Sequence, residues 1–599
     1  MSQILQIFYI LISALSLAIA IPNELYHFGS PAFALVSLIP LYLVATNLKS
    51  YKNALWFLAL HSFLVHLFSS YWLGLFREMG ILTLSASAIG TAIEGALCGL
   101  FFYIPFPRYK KYQLRLYSSA SFLPVSCFRI LWFTICYVSW EWLKSSGFLG
   151  YPWGTISSAM YKWFTLIQIA DITGRYGISF IIILFNAILA EGIQLYFASK
   201  KYENIQTRVY SYSFTAIFCS VLLVSSTIYG FYRIYQKRPV MKELNIVMVQ
   251  QNSDPWESKR DNENILNSIE LTEKALKEAN DARKKIDLVV WSEGVLKYSF
   301  PTSKSHYKYF PKENPLIPYI ASKNIPFLIG GPVNIDGDFR DFTFNSSLLF
   351  DNQGNYRGYY PKNHLVPFAE VIPFAENRKV ARFFRKIGLG TGWSSGNQYV
   401  VYEIPCQKYK TKRFNRIQTY SLAETLSEQK SRENQAPFVN VATPICFDDS
   451  FPDICNRLAD AGAEVFINLT DNSWSKTNCA EYQHFANSVY RCIELRLSMA
   501  RSTNSGYSVI LDPTGKILKD MPLFEQDSIF ATIPIYQTVR TIYQRFGNWL
   551  AYLCIIFIFL VFILQIKLLN SPLDPKSENI IGRKPRKPRN SKKSRKKRN

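Results

Sequence analysis

Apolar residues along this chain gather into blocks of two kinds. Eight long blocks fall at roughly 4 to 22, 31 to 48, 54 to 76, 81 to 106, 119 to 143, 176 to 198, 212 to 232 and 547 to 569. Each is close to the ~20 residues that a helix needs to cross the hydrocarbon core of a bilayer. Seven precede a polar stretch of about three hundred residues, long enough for one folded domain, and the eighth closes it. The pattern predicts a seven-helix membrane region over 1–235, a polar domain over 243–540, a closing membrane helix at 547–569 and a tail over 570–599.

Blocks of the second kind are short and lie inside the polar region. Runs rich in β-branched and aromatic residues predict strands at Leu244 to Gln250, Leu288 to Trp291, Phe327 to Gly330, Ser347 to Phe350, Tyr399 to Ile404, Val439 to Ile445, Val465 to Asn468, Ser508 to Leu511 and Ile529 to Ile533. Helical spacing predicts helices near 259–284, 314–323, 453–461 and 481–498. Strands alternating with amphipathic helices imply layered α and β, with helices covering sheets. Gln407 to Gln435 is polar and has no sustained apolar period, so it reads as a surface insertion between two core strands, or as a charged helix at the membrane interface.

Charge orients the long blocks. Lys49 and Lys52 follow the second, Arg108, Lys110, Lys111 and Arg115 the fourth, and Lys200, Lys201 and Arg208 the sixth, whereas Pro22 to Ser30 carries no Lys or Arg. Short cytoplasmic loops collect such residues, so the amino terminus reads as cytoplasmic and the polar domain as extracytoplasmic. Arg583 to Arg598 holds eleven Lys and Arg of a chain whose formal net charge is +24. Without aromatic interleaving or a folded reader beside it, this run reads as a cytoplasmic topology signal or anionic-lipid contact rather than a nucleic-acid site. The first block, ending near Ala18-Ile-Ala20, reads as a retained span, since no Lys or Arg precedes it as in a signal peptide.

The cysteines and histidines narrow the chemistry. Five of the ten cysteines (Cys98, Cys127, Cys136, Cys219 and Cys554) lie in or beside apolar blocks; the polar domain holds an odd five, which leaves at least one thiol unpaired. No CxxC or HxxEH spacing occurs and the six histidines are scattered, so no metal site or cofactor is expected. Glu293 follows the apolar strand Leu288-Val-Val290, where partial desolvation raises a carboxylate toward the range of a general base. Lys362 stands in Tyr359-Tyr-Pro-Lys362-Asn-His-Leu-Val-Pro-Phe-Ala-Glu370, a loop fixed by prolines and aromatics that can aim an ammonium at an oxyanion. Cys446, in Val441-Ala-Thr-Pro-Ile-Cys446-Phe-Asp-Asp449, follows another apolar run, and a thiol near a helix amino terminus there is expected to have a lowered pKa and become nucleophilic.

These three contexts, in this order, resemble the nitrilase superfamily of carbon-nitrogen hydrolases. Val249-Gln-Gln-Asn252, Ile467-Asn468-Leu-Thr470 with Asn472 and Trp474, Gln483-His484-Phe485, Arg501-Ser-Thr-Asn504-Ser-Gly506 and Asp512-Pro-Thr-Gly515 extend the likeness. Trp140-Glu141-Trp142-Leu143, Gly150-Tyr-Pro152-Trp153-Gly154, Gln168 and Gly174-Arg-Tyr-Gly177-Ile-Ser179-Phe180 are similar to the membrane signature of the apolipoprotein N-acyltransferase family.

The resemblance implies an αββα sandwich beside eight membrane helices, in the bacterial cytoplasmic membrane with the sandwich on the periplasmic side. It also implies a Glu293, Lys362, Cys446 triad, with Glu370, Asp448 and Trp256 in support. The implied partners are a phospholipid acyl donor and a diacylated lipoprotein acceptor, in a ping-pong reaction through a Cys446 thioester. The chain departs from the family pattern at Phe447 and Asp448, where tyrosine and glutamate are usual, and at Lys476 in a stretch often rich in glycine. A membrane-bound hydrolase of the same superfamily and a catalytically silent lipoprotein-binding protein remain alternatives.

Overall fold

The long apolar blocks fold as helices of unequal length in the computed structural model, which describes residues 1–76, 79–103, 125–200, 206–254, 261–337, 341–374, 377–386, 392–406, 417–419 and 438–570. Among the described residues four helices are long and apolar enough to cross a membrane: Gln3–Ala20, Gly80–Tyr103, Arg175–Ser199 and the Arg208–Tyr235 part of Gln206–Tyr235. The second block is instead two short helices, Pro31–Ala34 and Ile39–Ala45, each with a proline in its first turn. Proline starts helices readily and cannot continue a preceding one.

Tyr51–Ser69 and Val125–Lys144 are long helices diluted by histidines and charges. Those groups are partnered inside the bundle: Ser13 meets His61 at 3.2 Å, and Arg129 pairs with Glu191 at 3.3 Å. On Gln206–Tyr235 the exposed side chains Phe214, Ile217, Val221, Val224, Ile228 and Phe231 recur every three or four residues, an apolar stripe that suits lipid and not water.

In the polar domain the strands are β1 (Val240–Gln250), β2 (Leu288–Trp291), β3 (Phe327–Ile335), β4 (Phe342–Phe350), β5 (Tyr356–Pro361), β6 (Val400–Pro405), β7 (Ile417–Thr419), β8 (Phe438–Ala442), β9 (Val465–Thr470), β10 (Ser498–Thr503), β11 (Val509–Leu511), β12 (Ile517–Asp520) and β13 (Asp527–Tyr536). One sheet runs β13-β1-β2-β3-β4-β5, the other β12-β11-β10-β9-β8-β6-β7. Strand periodicity divides the first sheet's faces. Val247, Val249, Val289 and Trp291 pack under helices Asp261–Asp281 and Leu316–Lys323, while Ile246, Met248, Leu288 and Val290 point into the core shared with the second sheet. Between the sheets the Tyr402 hydroxyl donates to the Ser347 carbonyl at 3.0 Å. Helix Asn478–Leu495 covers the outer face of the second sheet, its Ser488 bonded to Arg501 of β10, and this completes four layers. Of the predicted 407–435 insertion only Ile417–Thr419 is described, as edge strand β7; the rest, like the 571–599 tail, lies outside the described residues.

Helix Asn478–Leu495 is buried along almost its whole length, because the membrane region covers the side that the sheet does not. That seam is polar. Arg175 donates to Asn487 at 2.7 Å, Arg496 pairs with Asp171 at 2.7 Å, Gln168 donates to the Thr514 carbonyl at 2.9 Å, and Gln483 donates to the carbonyls of Pro22 and Ser69 at 2.9 and 2.8 Å. Gly174, at φ +65°, leaves room for the Tyr543 ring, which a Cβ would approach to 2.4 Å. The membrane-region residues singled out in the sequence, Gln168 and Gly174-Arg175, are therefore seam residues. Asp171 also pairs with Arg233 at 2.8 Å, so Asp171→Leu strands the buried Arg496 and the partly buried Arg233. The expected cost is about 3 to 5 kcal/mol, measured as a lower unfolding midpoint in detergent with earlier proteolytic separation of the two halves.

Candidate active site

The ends of strands from both sheets converge on one buried ammonium. Lys362 follows β5 directly and is 1% exposed, so its charge must be met inside the protein. It donates to Glu293 Oε1 at 3.1 Å and to Glu370 Oε1 at 2.8 Å. Asn345 of β4 donates to the same two oxygens, at 2.7 and 3.2 Å. Glu293 Oε2 accepts the Asp471 N–H beyond β9 at 2.8 Å, which ties the first sheet to the second, and Glu370 Oε2 accepts the Val366 N–H at 2.8 Å. Burial raises the Glu293 carboxyl above its ordinary value and Lys362 opposes that rise. Burial alone would lower the Lys362 ammonium, yet Glu293 and Glu370 hold it well above its usual range.

Cys446 sits just past β8 at φ +44°, a left-handed conformation that non-glycine residues adopt only where the surroundings enforce it. It opens a single five-residue 3₁₀ turn, Cys446–Ser450. Burial pushes its thiol well above the ordinary value, Glu293 adds to this and Lys362 opposes it. The sequence-based expectation of a lowered thiol pKa is therefore corrected: a one-turn helix does not outweigh burial beside a carboxylate. The Sγ atom lies 4.0 Å from Asn472 Oδ1.

The two departures from the family motif occupy defined places. Phe447 stacks on Trp153 of the membrane region, ring centroids 5.2 Å apart, and contacts His364 and Phe451. Asp448 is fully buried and accepts from the Ile445 N–H at 3.1 Å, the His364 N–H at 2.8 Å and the Tyr360 hydroxyl at 2.9 Å. Burial raises its carboxyl to about 7. Its short side chain thus cross-links the Cys446 turn to the chain following Lys362. Lys476 adopts φ +49°, a conformation easier for glycine, and pairs with Asp254 at 3.3 Å. Trp256 lies outside the described residues.

Glu293, Lys362 and Glu370 are in direct contact, and the charges of all three act on the Cys446 thiol. Sequence reasoning missed Asn345, which bridges the two glutamates; the available signal was an amide inside a β-rich run. It also gave Asp449 no role, although Asp449 pairs with Arg501 at 2.7 Å and with His484 at 2.9 Å. Among the described residues no group of His, Cys, Asp and Glu could hold a metal ion. Asp448→Asn replaces an acceptor oxygen with a donor facing donors already in place. It should cost about 1 to 3 kcal/mol, read as a lower thermal midpoint of the detergent-solubilised protein; an unchanged midpoint would mean that those donors find other acceptors.

Two family models match the chain. Residues 13–188 match the apolipoprotein N-acyltransferase N-terminal domain and residues 246–543 match the carbon-nitrogen hydrolase domain. The chain is 37% identical to apolipoprotein N-acyltransferase 2 of Treponema denticola, over 94% of this chain and 97% of that protein. It is 34% identical to apolipoprotein N-acyltransferase 2 of Treponema pallidum, over 91% and 92% of the two chains. It is also 29% identical to the apolipoprotein N-acyltransferase of Borreliella burgdorferi, over 95% and 97%. With a membrane region joined through a polar seam to a two-sheet hydrolase domain, and with identity of this extent along nearly its whole length, the chain belongs to the apolipoprotein N-acyltransferase family.

Proposed function

We propose that the chain transfers an acyl group from a membrane phospholipid, through a thioester on Cys446, to the free α-amino group of an S-diacylglyceryl-cysteine lipoprotein. Glu293 takes the thiol proton as sulfur attacks the ester carbonyl. Because the thiol is held up by burial, proton loss and attack proceed together rather than through a standing thiolate. Lys362, fixed by two carboxylates, steadies the oxyanion. Glu293 returns the proton to the departing lysophospholipid oxygen. In the second half Glu293 takes a proton from the acceptor amine, the nitrogen attacks the thioester, and the Cys446 sulfur leaves and is reprotonated. Glu370 and Asn345 position Lys362 and Glu293; Asp448 holds the nucleophile turn; Trp256 resembles the tryptophan that the family uses at substrate gating.

The observation that carries this reading is the contact between the nucleophile's neighbour and the membrane region: Phe447 lies on Trp153, which faces Trp72, and Trp72 faces Trp474. A run of aromatic rings thus joins the segments that follow helices Tyr51–Ser69 and Val125–Lys144 to the residue beside the thiol, a contact that suits two lipid-anchored substrates. The reading includes eight crossings, an extracytoplasmic catalytic domain over 243–540 and a cytoplasmic tail over 570–599, in a bacterial inner membrane; the Lys and Arg distribution supports it.

Intact-mass analysis of the full chain after incubation with phospholipid, then with a diacylated lipopeptide, tests the reaction. An acyl adduct on the native protein, absent from Cys446→Ala and chased onto the peptide amine, is expected. An adduct lost equally fast without peptide would make the chain a hydrolase.

The pH profile follows from Glu293. Its base form disappears as pH falls through a value above the ~4.3 of a free glutamate, so adduct formation should be lost from that higher pH downward. Lys362→Met removes the charge that opposes the rise and should move the midpoint of the residual rate further up.

A further inference from the structure

Asn472 has a neighbourhood that fixes which end of its amide faces the nucleophile. His484 Nε2 lies 2.9 Å from Asp449 Oδ1 and 3.2 Å from the Cys446 carbonyl, both acceptors, so this nitrogen carries the ring hydrogen. Burial and the Arg501 charge lower the His484 pKa, and Nδ1, facing an amide nitrogen, serves as a lone-pair acceptor. Asn472 Nδ2 stands 3.0 Å from that Nδ1 and 3.1 Å from Glu481 Oε2. Both amide hydrogens are thus used, one on each acceptor; Oδ1, 3.4 Å from an Nδ1 that carries no hydrogen for it, faces Cys446 Sγ at 4.0 Å. Gly506 gives Glu481 its place: a Cβ there would come within 2.1 Å of Oε2. Asp471, Arg501 and the Tyr507 backbone are the other groups that act on the Glu481 carboxyl, which burial raises to about 7.

We propose that Asn472, clamped by Glu481 and His484, is a further catalytic residue whose carbonyl accepts the Cys446 S–H and so orients the sulfur and holds it as a thiol in the resting enzyme. A hydrogen bond to the neutral form disfavours ionisation, and the partial negative charge of Oδ1 repels a thiolate. The nucleophile of an enzyme working among reactive lipids is thereby kept quiet until a carbonyl arrives and Glu293 removes the proton. Glu481 and His484 act through Asn472 and are positioning residues. The inference rests on Cys446 being the nucleophile of the reading above.

Iodoacetamide labelling of the full chain in detergent, without lipid, followed residue by residue by mass spectrometry from pH 6 to 10, tests it. The other nine buried cysteines report any unfolding. Asn472→Ala should label at Cys446 about tenfold faster at pH 8, from a thiol pKa lowered by about one unit, while the other nine stay protected. Asn472→Asp, which keeps an acceptor and adds charge, should label more slowly than native. Glu481→Gln, whose side-chain oxygen can still accept from Nδ2, should stay near native.

An unchanged Cys446 rate in Asn472→Ala, or faster labelling in Asn472→Asp, would overturn the proposal; Glu481→Gln behaving like Asn472→Ala would overturn the clamp. If the other cysteines of Asn472→Ala also react, that variant has opened and Asn472→Asp decides: slower labelling supports the role, and equal or faster labelling refutes it. Because no lipid is present, failure of acyl transfer with these shifts intact would count against the reaction assigned above and not against Asn472.

Discussion

One buried ammonium organises the catalytic domain. Lys362 is too deeply enclosed to be solvated, and it persists as a cation because Glu293 and Glu370 both reach it. Each of these carboxylates has a second task that fixes a piece of backbone: Glu293 takes the Asp471 N–H at the end of β9, and Glu370 takes the Val366 N–H of its own loop. The charge requirement of a single side chain thus sets the relative position of β2, β5 and β9, two of them in one sheet and one in the other. The nucleophile turn after β8 is held separately, through Asp448, to the segment that begins at Lys362.

The same economy of polar groups joins the two halves of the protein. A soluble αββα domain would present the outer face of helix Asn478–Leu495 to water; here that face meets Arg175 and the carbonyls of Ser157, Pro22 and Ser69. Hydrophobic burial alone would allow the halves to slide. Buried hydrogen bonds and the Arg496 to Asp171 pair allow one register, because an orphaned polar group at that depth costs more than the contact gains. Phe447 on Trp153 is a product of that register, and it places the nucleophile turn against the membrane region.

Much of the architecture was legible from the residues. Strand runs such as Leu288 to Trp291 and Val465 onward, and helices near 259–284 and 453–461, announce themselves because their apolar periods are those of buried strands and half-buried helices. β10 was not legible: Ser498–Thr503 reads as polar, and the predicted helix ran into it, yet every residue of it is buried. Ser498 donates to the Pro534 carbonyl, Arg501 to Asp449 and Thr503 to Gln250, partners supplied by distant parts of the chain. β5 was hidden in the same way, since Tyr356–Pro361 pairs with β4 through its backbone while its sequence has the marks of a loop.

Local composition and spacing are enough to set out the alternation of long apolar blocks and a polar domain, the strand and helix periods within that domain, and which Glu, Lys and Cys stand at strand ends. The tertiary structure alone decided how the apolar blocks are cut into helices, that Asn345 bridges two glutamates, that the Cys446 thiol is raised rather than lowered, and which amide atom of Asn472 faces it. Those outcomes depend on burial and on hydrogen-bond partners tens to hundreds of residues away, and no local window of sequence contains them.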